Sequence, residues 1–185
     1  MSDLTITHAG VTESKVTGGE FLSADKKLNQ MKVDLIDVTC TANAAAHAVG
    51  DIICEPVEIP NAVSVKGGSA ILQSAALIVD SGGQETGAVT AVITNNGPTD
   101  LAGIAANDPW ASGTDAGAVY DGFCGMWTFT NGVDAGVVTL HDKKNIGMVC
   151  KAESTSTSLY VFLVAESTDD YDSNNLILRL GFVKD

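Results

Sequence analysis

Short apolar segments alternate with breaks rich in Gly, Asn, Asp and Ser along most of the chain. Residues 31–35 change between apolar and polar at every second position, which is the period of a strand with one buried face. Longer apolar segments are typical of strands that are buried on both faces. The pattern predicts strands at 31–35, 52–59, 70–80, 88–94, 123–130, 137–140, 146–151, 159–165 and 175–183.

Many short strands at close spacing predict an all-β fold, either a sandwich or a barrel. We expect an antiparallel β-sandwich that is jelly-roll-like, with one or two short helices and an extended N-terminal segment. The helices are expected at 99–106 and 114–120, because a Thr that can cap a helix begins each segment. Pro56 cannot donate a ladder hydrogen bond, so it predicts an edge strand or a bulge at 52–59.

Turn residues mark two further features of the chain. Asn131 and Gly132 are the pair that a type I′ hairpin turn prefers, because both of its central positions need a positive φ. The segment 66–69 superficially resembles a phosphate-binding loop, but its Lys precedes the glycines and no helical pattern follows. We therefore expect a hairpin turn at each of these two places.

The first 30 residues differ from the rest in their pattern of apolar segments. Gly-rich breaks divide them into fragments that are too short for strands of a sheet core. Such a segment can be an arm that becomes ordered only on a neighbour, although an ordinary terminal strand and loop explains it equally well. The predicted organisation is an N-terminal arm at 1–30 and a β-sandwich domain at 31–185. The partner-binding candidates in the arm are Phe21, Leu22, Lys26 and Lys27.

Length and charge narrow the function classes. The chain has 185 residues and a formal net charge of −13, with no Lys or Arg between Gly67 and Asp142. A phosphate backbone or an anionic membrane surface would be repelled by this charge, so we expect no direct nucleic acid or membrane partner. We also expect no membrane span and no signal peptide, because no long apolar segment is present and residues 1–5 lack a basic start.

The four cysteines, Cys40, Cys54, Cys124 and Cys150, each lie in or beside a predicted strand. They form no Cys-x-x-Cys pair, and no His stands at zinc-ligand spacing beside them. We interpret them as reduced thiols of the core, since free Cys behaves as a small buried hydrophobe. A disulfide such as one between Cys40 and Cys54 stays open, because spacing alone cannot decide it.

No catalytic constellation is apparent in the sequence. His8, His47 and His141 are far apart, and each is expected to be an exposed loop residue. The Gly-x-Ser-x-Gly and nucleotide-binding Gly motifs are missing. Asp115 and Asp121 would suit the paired carboxylates of a glycosidase, but such sites need a cleft and aromatic platforms. We therefore expect no enzyme, no cofactor and no catalytic residue.

Two further groups of side chains have weak functional interpretations. The acidic residues between 166 and 174 offer oxygen ligands for Ca²⁺, but the central Gly and closing Glu of an EF-hand loop are absent. An exposed loop explains them more simply, and no metal site is predicted. Trp127 lies in an apolar segment and is expected in the core. Trp110 follows Pro109 in a loop and is a candidate exposed partner-binding residue.

Several stretches together resemble small virion structural proteins of tailed bacteriophages. These are a strand of the form Gly-Asp-Ile-Ile followed by Val-Glu-Ile-Pro-Asn, a Lys-Gly-Gly turn before Ile-Leu-Gln-Ser, and a final strand Leu-Ile-Leu-Arg-Leu-Gly-Phe. They stand at 50–53, 57–61, 66–74 and 176–182, and 145–149 before 158–161 also fits. The resemblance covers roughly residues 33 to 183. The segment from Asn95 to Gly122 is longer and richer in Gly and Asp than the family pattern, and we expect a variable, outward-facing insertion there.

The resemblance implies a capsid decoration or cement protein, a non-enzymatic β-sandwich on the virion surface that is synthesised in the host cytoplasm. It implies the major capsid protein as partner, and a homotrimer that bridges adjacent capsid subunits. The alternative is a carbohydrate- or receptor-binding module of a tail or fibre, in which exposed aromatics stack on sugar rings. Trp110 and Tyr120, with Asp108 and Asp121, are the residues that this alternative would use.

Overall fold

The computed structural model describes residues 7–8, 11–12, 32–42, 46–80, 87–97, 99–110, 119, 121–130, 132–168, 171 and 175–184. Contacts divide the chain into two units, Met1–Gln30 and Met31–Asp185. In the first unit, β1 (Thr7–His8) and β2 (Val11–Thr12) pair in antiparallel fashion. The predicted arm otherwise lies outside the described residues.

Within the described residues, nine strands build the second unit. They are β3 (Lys32–Thr41), β4 (Ile52–Ile59), β5 (Ser69–Val79), β6 (Val89–Thr94), β7 (Phe123–Phe129), β8 (Val133–Asp134), β9 (Thr139–Lys151), β10 (Leu159–Ala165) and β11 (Asn175–Lys184). In β5 every second side chain is buried over most of its length. This is the period-two pattern of a strand with one face toward a core.

The strands form two antiparallel sheets that pack face to face. One sheet has the order β4-β10-β6-β7, and the other has the order β3-β11-β5-β9-β8. The main core lies between the sheets and contains Leu72, Leu77, Phe129, Leu163 and Phe182. The prediction of an antiparallel β-sandwich is confirmed.

The strand pairing is that of a jelly roll. Without the two-residue strand β8, the eight long strands pair first with last: β3 with β11, β4 with β10, β5 with β9 and β6 with β7. Most connections therefore cross from one sheet to the other. Jelly rolls occur in viral capsid proteins, lectins and cupins, so the topology alone does not select a function.

The crossing connections overturn the two predicted hairpins. The Asn131 and Gly132 pair follows β7, which pairs with β6, and precedes β8, which pairs with β9 in the other sheet. The turn at 66–69 joins β4 to β5, and these strands also belong to different sheets. Gly67 has φ 70° and donates its N–H to the Ser156 carbonyl at 3.0 Å, so this turn is fixed to the β9–β10 connection.

A second difference concerns the predicted strands 137–140 and 146–151, which lie largely in one continuous strand, β9. Its polar middle contains Asn145 and Gly147 with positive φ, while the register with β5 shifts between Leu72 and Ser74. The extra residues form a bulge rather than a turn. Pro56 stands as predicted, on the edge strand β4 and beside a register shift against β10.

The predicted helix at 99–106 is wrong. Leu101 and Ile104 lie in successive turns, in which the Asp100 N–H donates to the Gly97 carbonyl and the Ile104 N–H to the Leu101 carbonyl. Gly103 disfavours a continuous helix in this short segment. Of the predicted helix 114–120, only Val119 is described, and it is helical together with Asp121 and Gly122.

Candidate interaction surface

The outward face of the five-stranded sheet, here called the open face, carries two rows of apolar side chains. Each row follows the hydrogen-bonded register across the strands. The first row is Val33, Val183, Ile71 and Val149, and the second is Ile177, Ile78, Leu140 and Val133. The ends of the first row are highly exposed, with Val33 at 66% and Val149 at 65%. Contiguous exposed apolar surface of this kind is typical of interaction sites.

Polar side chains separate the two apolar rows. Arg179 on β11 forms a bidentate pair with Asp37 on β3, with Nε–Oδ1 and Nη2–Oδ2 distances of 2.8 Å. The Arg179 guanidinium holds the pKa of Asp37 below its usual range, chiefly through this hydrogen bond. Lys144 and Asp142 on β9 form a second exposed pair at 3.1 Å. Both pairs lie between the apolar rows and stay largely exposed to solvent.

Gly181 gives the open face its level surface near β3. A Cβ at this position would collide with the Oγ of Ser74 and contact the Leu35 side chain. Because Gly181 has no side chain, Leu35 extends over β11, where it stays 68% exposed. Leu35 thereby adds a further apolar contact next to the first row.

The charge of the open face differs from that of the whole chain. At the outward positions of β3, β11, β5 and β9, the cations Lys144, Lys151 and Arg179 stand against the carboxylates Asp37 and Asp142. The local balance is 3 − 2 = +1, whereas the whole chain carries −13. An acidic partner therefore meets less local repulsion at this face than the net charge of the whole chain suggests.

The outward face of the four-stranded sheet, here called the covered face, is covered by the chain itself over β4, β10 and β6, while Met126 on β7 stays 60% exposed. The connection between β6 and β7 places Leu101, Ile104 and Val119 on Phe162 and Val92, which makes a second apolar core. This corrects the expectation of an outward-facing insertion at Asn95–Gly122 for the described part of that segment. Its apolar residues face the sheet, which explains why they occur in a stretch rich in Gly and Asp.

The sequence-predicted site residue Trp110 belongs to this second core. Its ring is half-buried and lies 5.0 Å from the Phe162 ring, centroid to centroid. The backbone N–H of Trp110 donates to the Gly50 carbonyl at 2.9 Å. The backbone carbonyl of nearby Asp108 accepts from the Ile52 N–H at 2.9 Å. Trp110 is thus less exposed than expected, and its binding role stays a prediction.

The other sequence-predicted site residues, Phe21, Leu22, Lys26 and Lys27, lie outside the described residues. The open face itself was not predicted, because its rows become visible only when the strand register is known. The alternating segment at 31–35 was its one sequence signal, since Val33 and Leu35 fall on the same side of a strand.

Two of the three histidines are buried, so the expectation of exposed loop positions is wrong for them. His47 is 2% exposed and its ring lies 5.7 Å from that of Tyr171. His141 is 3% exposed, and its Nδ1 lies 2.9 Å from the Thr130 carbonyl oxygen. They lie among apolar and aromatic neighbours and are far apart in the described structure.

Among the described residues, no group of three or more His, Cys, Asp or Glu side chains is arranged to hold a metal ion. No helix in the same part of the chain has the length and apolar character needed to cross a membrane. Of the acidic residues between 166 and 174, for which no metal site was predicted, Glu166 is described, and its Oε1 accepts a hydrogen bond from the Thr90 hydroxyl at 2.6 Å.

No protein-family model matches the chain, and no curated protein matches it. Among solved structures, it is similar to a chain of desmodium yellow mottle tymovirus, with 11% identity and a TM-score of 0.24. The match covers 82% of this chain and 86% of that chain. A likeness at this score has no bearing on function.

Proposed function

We propose that the protein is a bacteriophage virion structural protein, a capsid decoration or cement protein that binds the outer capsid and bridges major capsid protein subunits. The observation that carries the proposal is the open face, where two registered apolar rows flank a locally neutral polar strip. The sequence resemblance and the jelly-roll topology support the same class of function. The protein acts by contact, without an enzymatic step or a cofactor.

The physical role of such a module follows from the load on a shell. Internal pressure pulls neighbouring capsid subunits apart, and a module attached to two of them must be displaced before they separate. Burial of the exposed Val33, Leu35 and Val149 contributes about 25 cal/mol for each Å² of apolar surface removed from water. A homotrimer attached at several points gains further through effective concentration rather than through one strong contact.

The edge of the five-stranded sheet offers a second point of attachment. β3 pairs with β11 on one side, and within the described residues its other side has no strand partner. A long unpaired edge can accept an extended segment through main-chain hydrogen bonds. In the proposed function, residues 1–30 of one copy bind the β3 edge of a neighbouring copy of the protein.

The copy number of the protein on purified particles tests the proposed function directly. Quantitative mass spectrometry and particle imaging should find hundreds of copies, distributed over the capsid. A dozen copies or fewer at the tail would instead favour the carbohydrate- or receptor-binding alternative and would contradict a decoration role.

Binding to bare capsids tests the docking surface. Val149→Lys places a charge at the end of the first apolar row and should weaken binding by about tenfold or more. Met126→Lys is the matched control, since Met126 is 60% exposed on β7 in the other sheet. Equal binding by Val149→Lys and wild type would exclude the open face as the docking surface.

Deletion of residues 1–30 tests the arm separately. The variant should keep the folded sandwich, as judged by its thermal unfolding, while it binds capsids more weakly. A deletion variant that saturates bare capsids with unchanged affinity would remove the arm from the proposal.

A further inference from the structure

The four cysteines are free thiols that fall into two pairs. Each pair has one member in each sheet and lies at a seam, the side of the sandwich where a strand of one sheet runs next to a strand of the other. Cys40 on β3 and Cys54 on β4 stand at the seam where these edge strands meet. Cys124 on β7 and Cys150 on β9 stand at the opposite seam. Cys40, Cys54 and Cys150 belong to the core between the sheets, and Cys124 packs against that core.

The seam at Cys124 is closely packed on both of its strands. The Cys124 Sγ lies 3.7 Å from the Gly122 carbonyl oxygen and 3.9 Å from that of Lys151, the residue after Cys150. The Met148 side chain occupies the space that a Cβ on Gly125 would need. β7 and β9 are therefore held next to each other at the height of the two thiols.

The environment of the two pairs differs in a way that sets their reactivity. The neighbouring Cys150 thiol lowers the pKa of Cys124 to about 7, while the pKa of Cys150 is raised. Cys124 is also half-buried, whereas Cys40, Cys54 and Cys150 are fully buried. A partly exposed thiol that ionises near neutral pH is the one that reacts first.

We propose that Cys124 and Cys150 form a disulfide across the β7–β9 seam under oxidising conditions, and that Cys40 and Cys54 form a second one more slowly at the β3–β4 seam. The inference goes beyond the proposed function and does not depend on it. The oxidised molecule would have both sides of the sandwich closed by a covalent bond.

The oxidant can be a small disulfide such as oxidised glutathione. The Cys124 thiolate attacks one sulfur, which forms a mixed disulfide and releases one glutathione thiolate. Cys150 then loses its proton and attacks the Cys124 sulfur, which forms the protein disulfide and releases the second glutathione thiolate. The two protein thiols give up two electrons and two protons, and the glutathione disulfide takes up the two electrons.

The test uses the purified full-length protein, incubated in buffers of increasing oxidised-to-reduced glutathione ratio. Free thiols are trapped by alkylation, and linked peptides are mapped by mass spectrometry without reduction. We expect the Cys124–Cys150 link to appear first and the Cys40–Cys54 link later. The melting temperature should rise by about 5–10 °C and should return to the starting value when the protein is reduced.

Variants separate the two seams. Cys124→Ser should abolish the first link and leave the second, while the double variant Cys40→Ser and Cys54→Ser should keep the first link. Since the mapping on the wild-type chain needs no variant, misfolding of a variant does not affect the test. Four alkylatable thiols after prolonged exposure to excess oxidised glutathione would overturn the proposal. A stable glutathione adduct on Cys124 beside a free Cys150 would overturn it as well.

Discussion

The outward faces of the two sheets both carry apolar side chains, and they differ in how far the chain itself covers those side chains. Phe162 on the covered face is 0% exposed, because the β6–β7 connection packs a second core on it. Val149 on the open face is 65% exposed, although it belongs to a comparable apolar row. Sheet faces of this kind are normally covered or polar. The difference shows that an apolar sheet face can either be buried by the chain itself or stay exposed to solvent within the same domain.

The largest expected effect comes from truncation on the covered face. Phe162→Ala should reduce the free energy of unfolding by about 3–5 kcal/mol, because a buried ring that contacts Trp110 is lost and a cavity remains. Urea denaturation measures the loss. Val149→Ala on the open face is the control and should change stability by about 0.5 kcal/mol or less. Equal losses for the two variants would contradict the distinction between the faces.

β3 and β11 form two ion pairs, Asp34 with Lys184 on the inner face of the sheet and Asp37 with Arg179 on its outer face. They compare a buried pair with an exposed pair between the same two strands. Lys184 is 5% exposed in its side chain, and its Nζ lies 2.9 Å from the Asp34 Oδ2 and donates to the Asn61 carbonyl. Asp34→Asn should cost about 1–3 kcal/mol, because a buried ammonium group loses its counter-charge. The double variant Asp34→Leu and Lys184→Met should recover part of this loss in chemical denaturation. A single variant as stable as wild type would show that the buried pair contributes nothing.

A variant of Trp110 tests whether the β6–β7 connection and its neighbours on the covered face only stabilise the fold or also contribute to binding. Trp110→Ala should lower the free energy of unfolding by about 1–2 kcal/mol, since a half-buried ring leaves its contact with Phe162. Capsid binding should not change. The opposite result, unchanged stability with weaker binding, would make Trp110 a contact residue as the sequence suggested.

The smallest effect is expected at the outward pair, Asp37 with Arg179. The pKa of Asp37 is lowered in the folded state, so its carboxylate stabilises the fold above its ordinary pKa. This contribution is lost as the pH falls through the lowered value. Asp37→Asn should therefore be slightly less stable than wild type at pH 7 and equal to it in strong acid. Thermal unfolding at both pH values measures this, and a larger gap in acid would contradict the sign.

The sequence predicted the strands well where local pattern alone decides them. β4 and β10 have the predicted bounds. β10 is a continuous apolar segment, and β4, although it contains Glu55, Pro56 and Glu58, begins and ends with apolar residues next to turns. β9 was predicted as two strands, because Lys143, Lys144 and Asn145 look like a turn when no partner strand is known. The register of β5 converts this polar stretch into a bulge.

The local sequence pattern could not predict which sheet each strand joins or which distant side chains become neighbours. Asn131 and Gly132 favour a tight turn, but they cannot say which sheet the next strand joins. His141 is buried because its strand alternates inward and its ring packs 6.1 Å from that of Phe129. The open face brings Val33 and Val149 into one row from opposite ends of the domain, and no local signal joins them.

The position of β10 and β11 in the sheets has a consequence for how the protein is made. β11 separates β3 from β5, and β10 separates β4 from β6, so two strands that follow their neighbours in the sequence lie inside the sheets. A nascent chain that stops before Asn175 leaves β3 without its hydrogen-bonded neighbour. Neither sheet can therefore complete its pairing before β10 and β11 are available, because each of these strands hydrogen-bonds to two earlier ones.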